Sequence, residues 1–174
     1  SSIRKKGIGN LEERFQALCA ELRREGYFDD GRKQRLPAFP RRIAVITSAT
    51  GAAIEDVRRT AATRLPSVEL LVVDVRVQGD DAPGQIAEAI RRLDLNAASL
   101  GVDAILVTRG GGSREDLWAF NERIVADAAF ACTTPLMAAI GHEVDTSVIE
   151  LIADQRASTP TQAAMFLIPD RSEL

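Results

Sequence analysis

The chain holds one histidine, His142, within the run Gly141-His142-Glu143-Val144-Asp145. An imidazole titrates near neutral pH and suits proton transfer. A lone histidine is more often structural, but this one falls where an apolar run, 136–140, ends. Asp145, three residues on, would lie beside it if a helix starts there, and could orient the ring or stabilise its cation. A second group of candidates is Thr108-Arg109-Gly110-Gly111-Gly112-Ser113. Gly110, Gly111 and Gly112 strip the backbone of side chains, so a ligand can approach the amides. Ser113 and Asp116 have capping-box spacing, which opens a helix. A strand end, a bare loop and a helix N-terminus favour a phosphate, and Arg109 adds a charged fork of donors. A third group is the turn with Ser48, Thr50 and Gly51, followed by Asp56 in the next helix. A carboxylate near a helix start is favoured by the dipole anyway, which is the plain alternative for Asp56.

Together these groups make a kit for phosphoryl transfer. Hydrolysis of a phosphodiester needs an activated water, stabilisation of charge on the phosphorus oxygens, and a proton for the leaving oxygen. Arg109 and the glycine amides suit the second task, with Ser48, Thr50 and Ser113 as further phosphate ligands. His142 suits the first or the third. Asp56, Glu143 and Asp145 could hold Mg²⁺, or the carboxylates could orient His142; the residues leave both open.

The elements that must position these groups alternate. Apolar runs at 43–47, 70–77, 103–108 and 136–140 read as strands. Helical stripes fall at Ile54–Val57–Ala61, Ile86–Ala89–Ile90–Leu93, Ile124–Val125 and Val144–Val148–Leu151–Ile152. Further helices are expected from Leu11 to Glu25, closed by Gly26, from Ser113 through Trp118, and from Thr161 to Leu167. Alternation predicts an α/β, Rossmann-like or flavodoxin-like three-layer domain with a mostly parallel sheet of at least four strands. Ligands then sit beyond the carboxyl ends of the strands. That rule gathers four places: 48–56, Gln78-Gly79, 109–113 and 141–145. The first strand–helix turn lacks GxGxxG, which disfavours a dinucleotide site. Arg58, Arg59 and Arg64 read as a solvated helix face, and Trp118 and Phe120 as core or lid-packing groups, with base stacking on Trp118 a lesser reading.

The expected layout is an N-terminal helix and connector over 1–40, an α/β domain over 41–168 and a tail over 169–174, with 1–9 frayed. No apolar run approaches the ~20 residues of a membrane span. Cys19 and Cys132 read as isolated core thiols in a reducing cytoplasm. Net charge is −3, so a nucleic-acid substrate must be held locally or by a partner segment.

Three long motifs carry a resemblance. These are Arg-Gly-Gly-Gly-Ser-x-Glu-Asp-Leu-Trp-x-Phe-Asn at 109–121, Gly-His-Glu-x-Asp at 141–145 and Ala-x-Thr-Pro-x-x-Ala-Ala at 157–164. With the 45–56 run and Val77-Gln78-Gly79, they resemble the large subunit of bacterial exodeoxyribonuclease VII, over roughly 7–164. The resemblance implies hydrolysis of single-stranded DNA from either end to oligonucleotides, with Asp56, Arg109, His142 and Asp145 catalytic. It implies small-subunit partners bound by a C-terminal helical region, and an N-terminal OB-fold whose last strand would fall at Ser1–Lys6. The family's best-known members work without added divalent metal. Val144, Gln155, Ser158 and Met165 depart from the usual pattern, and none is a proposed catalytic position. A phosphate-binding module without catalysis and a small-subunit scaffold are the competing readings. His142 with Asp145 is the discriminating feature, since a pure binding module has no need of a titratable pair beside the cradle.

Overall fold

The computed structural model describes residues 2–110, 115–141 and 146–174, with the backbone alone over 2–9. Its centre is a sheet of five strands, all parallel, in the order β2-β1-β3-β4-β5. The strands are β1 (Arg42–Thr47), β2 (Glu69–Asp74), β3 (Ala104–Thr108), β4 (Leu136–Ala139) and β5 (Gln155–Arg156). The helices are α1 (Ser2–Arg24), α2 (Ala52–Arg64), α3 (Ala82–Leu95), α4 (Ala97–Leu100), α5 (Arg123–Ala131), α6 (Val148–Ile152) and α7 (Pro160–Leu167).

The layering follows from strand alternation. Ile43, Val45, Ala104, Leu106, Met137 and Ala139 face α2 and α7 in one buried cluster. Their neighbours Ala44, Ile46, Ile105, Val107, Leu136 and Ala138 face α1, α3, α5 and α6 in the other. Both faces are covered, which explains why β1, β3 and β4 read as unbroken apolar runs. The expected α/β three-layer fold is therefore found, with one more strand than the minimum.

The end of α1 is pinned by charge and stacking. Arg123 reaches Glu21 (2.8 Å), Glu25 (3.0 Å) and Asp127 (3.1 Å). Tyr27 stacks on Phe130 with centroids 4.0 Å apart and donates to Asp127 (2.7 Å). Gly26 turns the chain there at φ +82°, a conformation that favours glycine.

Several expectations need correction. The backbone is helical from Ser2, so 2–9 is not a frayed tail, and 2–6 is not the last strand of an OB-fold. A helical continuation satisfies its own backbone groups, whereas a strand needs a neighbour. The second strand stops at Asp74 rather than Val77, because Val75 N–H makes the last pairing, to Thr47 O at the end of β1 (3.0 Å). Helix α4 and strand β5 were not expected; β5 is two polar-sided residues held by pairing with Met137 and Ala138. The segment with Trp118 forms a short 3₁₀ turn, Trp118–Asn121, rather than an α-helix. There Phe120 is buried, and Asn121 Oδ1 accepts from Val148 N–H (2.7 Å), a tertiary bond that overrides local preference. The last stripe forms α6 from Val148, and Val144 lies outside the described residues. Cys19 and Cys132 are buried and form no disulfide, as expected. Among the described residues, no helix is long and apolar enough to cross a membrane.

Candidate functional site

Strand order decides where a ligand can sit. From β1 the chain moves outward to β2, then crosses back to β3 on the other side of β1. The loops after β1 and β3 therefore part company, and a crevice opens between them. A cleft of about 730 Å³ lies there. Ser48, Thr50 and the start of α2 form one wall. Asp74 to Gln78, with Gln85, form another, and Arg109-Gly110 the third.

Each wall has a local cause. The β1–α2 turn is held by Ala49 N–H donating to Asp74 (2.9 Å). Ser48 Oγ and Thr50 Oγ1 lie 3.4 Å apart. Gly51 is the N-cap of α2 and supplies no side-chain cap, and Gly51, Ala52 and Ala53 line the cleft. The first amides of a helix have no intrahelical acceptor, so this uncapped end offers donors and a positive dipole to an anion.

Arg109 follows β3, its own N–H paired to Ala139 O of β4 (3.1 Å). Its Nη2 donates to Gln78 Oε1 (2.8 Å). Its Nη1 is buried and has no hydrogen-bond partner among the described residues. Burial pulls the guanidinium's pKa down, and the charge of Asp116 acts the other way; an arginine stays cationic throughout. A buried donor without a partner costs stability, of order 1–3 kcal/mol. Arg109 lines the cleft, so its charge faces any phosphate bound there. A Cβ built at Gly110 would meet nothing within 4 Å, and its φ is not positive, so neither packing nor backbone geometry demands glycine there. What glycine leaves is room for close approach to the backbone.

The structure thus brings Ser48, Thr50, Arg109 and Gly110 to one cleft, as the strand-end rule expected. Gln78 is there too. Asp56 is not among the lining residues; its carboxylate lies 3.6 Å from Arg59. Gly141 is buried just past β4, at the same edge of the sheet. Gly111, Gly112, Ser113, His142, Glu143 and Asp145 lie outside the described residues. Among the described residues, no three His, Cys, Asp or Glu side chains are grouped to hold a metal ion. Arg58 pairs with Glu55 (2.9 Å), as a helix face does, whereas Arg64 is structural, donating to Ile168 O (2.7 Å). Arg14 covers the Trp118 ring at 5.0 Å, which suits packing rather than base stacking.

Sequence reasoning missed Asp74, Arg76 and Gln85. Their signal was faint: a carboxylate closing a Val-Val run, and polar residues in what read as the end of a strand.

A family model described as "Exonuclease VII, large subunit" matches residues 27–174. Curated relatives named exodeoxyribonuclease 7 large subunit align with nearly all of the chain. That of Nautilia profundicola is 46% identical over 175 residues, which is 99% of this chain and 39% of the relative. That of Staphylococcus epidermidis is 48% identical over 168 residues, 97% of this chain and 37% of the relative. The chain spans about two fifths of the length of the curated relatives it matches. On the match, and with a fold and strand-end cleft to carry its motifs, the chain belongs to the exonuclease VII large-subunit family.

Proposed function

We propose that residues 41–168 form the hydrolytic domain of an exonuclease that cuts single-stranded DNA to oligonucleotides, acting in the cytoplasm alongside small subunits. Arg109 and the amides of Gly110, Gly111 and Gly112 hold the scissile phosphate, with Ser48, Thr50 and Ser113 as further donors. Water attacks phosphorus, the P–O bond to the leaving sugar oxygen breaks, and charge grows on the remaining phosphate oxygens. A cationic fork and fixed amides stabilise that charge at the moment it forms. His142 takes the proton from water or returns one to the leaving oxygen. Asp56 and Asp145 orient that imidazole, or, with Glu143, hold Mg²⁺, which would polarise the phosphate.

The observation that carries this reading is Arg109 lining the cleft between β1 and β3, its buried Nη1 without a hydrogen-bond partner among the described residues. The experiment is His142→Ala in the complete large subunit assembled with its small subunit. Cleavage of single-stranded DNA should fall by a factor of order 10² to 10⁴, the usual worth of a general acid or base, with an unchanged melting profile. Near-normal cleavage would sink the mechanism. Repeating the wild-type assay in EDTA separates the two carboxylate roles: loss of activity assigns them to metal, and persistence to the histidine.

A further inference from the structure

Several arginines of the molecule are held by carboxylates, and Arg109 is held differently. Arg42 pairs with Glu69, Arg92 with Glu88 and Arg156 with Glu150, and Arg123 holds three carboxylates. Arg109 instead hydrogen-bonds a neutral amide, Gln78 Oε1, at 2.8 Å. A guanidinium carries only donors, so the amide must present its oxygen. The bond fixes one nitrogen, Nη2, and leaves Nη1 buried without a partner among the described residues.

We infer that Gln78 is a positioning residue for Arg109: it holds the guanidinium in place while leaving its charge available to the phosphate. A carboxylate at 78 would hold Arg109 as firmly, but a bidentate pair would neutralise the charge the substrate needs. Asp116 already acts on Arg109 through charge, so a second carboxylate would leave the fork little net attraction for an anion.

The loop that carries Gln78 is built to be still. Before it, Val75 N–H pairs with Thr47 O (3.0 Å) and Arg76 N–H with Gln85 Oε1 (2.7 Å). After it, Gly79 turns at φ +91°, and its carbonyl accepts from Ala82 N–H (3.2 Å) at the start of α3. Gln78 itself is exposed, so its side chain is not needed to fill the core. A long arginine tethered to such a loop loses its rotamer freedom before substrate arrives, which is the benefit of preorganisation.

This inference rests on the phosphate-clamp reading above. Its test uses the complete large subunit with its small subunit and kcat/KM for single-stranded DNA. Gln78→Ala should lower kcat/KM about tenfold, the usual worth of a hydrogen bond to a charged group. Gln78→Glu, which keeps the size and the acceptor, should lower it further than alanine does. In an Arg109→Lys background, which keeps a charge but not the fork, Gln78→Ala should cost much less than in the wild type. Gln78→Glu at the wild-type value overturns the inference. So does an equal loss for both Gln78 variants that persists undiminished beside Arg109→Lys, since that marks a merely structural loop residue. Near-normal cleavage by Arg109→Ala would instead overturn the clamp itself.

Discussion

Glu150 is the residue through which the anchoring of α6 can be tested. Its side chain is 0% exposed. It closes a capping box at the start of α6, where Oε1 accepts from Ser147 N–H (3.0 Å) and Ser147 Oγ (2.8 Å). Oε2 accepts from Arg156 Nε of β5 (2.9 Å). Next to this cap, Val148 N–H donates to the buried Asn121. Removing an N-cap partner costs about 1 kcal/mol. Breaking a buried ion pair by deleting one member costs about 3–5 kcal/mol, but Arg156 keeps 29% side-chain exposure, which places its share nearer 2 kcal/mol after allowing for water. Glu150→Ala should therefore destabilise by about 3 kcal/mol, a fall in melting temperature of roughly 6–12 °C for a chain of this size. Glu150→Gln keeps an acceptor for Ser147 and loses the charge, so it should fall between wild type and alanine. Urea and thermal unfolding at pH 7, followed by circular dichroism, provide the assay. A loss under about 1 kcal/mol for Glu150→Ala would refute the account of how α6 is anchored. A glutamine variant as unstable as alanine would refute the division between cap and ion pair.

Arg109→Lys should keep the fold and weaken single-stranded DNA cleavage by at least tenfold, because a point charge cannot reproduce the fork; kcat/KM measured beside a melting curve checks both halves. Asp94 accepts four hydrogen bonds from Thr133 and Thr134, at 2.8–3.1 Å. Burial pushes its pKa up, but the bonds from Thr134 and Thr133 together outweigh it and hold the carboxyl below its ordinary value. Its contribution is thus fully present above the unfolded pKa of about 4 and is lost as pH falls through the lower folded value. The stability gap between wild type and Asp94→Asn, read from melting curves, should be constant from pH 5 to 7 and close only below about pH 4. Burial pushes the Cys132 thiol up to about 12, so iodoacetamide at pH 8 should label it only after denaturant is added; rapid labelling of the native chain would contradict its placement.

Much of the fold is legible in local pattern. The Ile-Ala-Val-Ile, Ala-Ile-Leu-Val and Leu-Met-Ala-Ala runs are apolar on both faces, which only a covered parallel sheet explains. Gly26 marks the end of α1 as read, whereas α7 starts at Pro160 rather than Thr161, with Thr159 capping it through Gln162 N–H (3.0 Å). Strand β5 escapes such reading, because two residues held by a neighbour leave no periodicity. So does the 3₁₀ turn at Trp118, where Asn121 answers to Val148 across the fold.

The sequence by itself pointed to groups suited to binding and hydrolysing a phosphodiester, and to strand ends as the place to look for them. Composition and spacing are enough for that, since side-chain chemistry and strand periodicity are local properties. Only the tertiary structure decided which strand ends are neighbours. Strand order is set by packing across two layers of helices, and it places the loop after β1 opposite Arg109 across a cleft. It also set the state of Arg109: one nitrogen tied to a neutral amide, the other buried without a partner among the described residues. A hydrogen bond between residues 31 apart in the chain has no local signature.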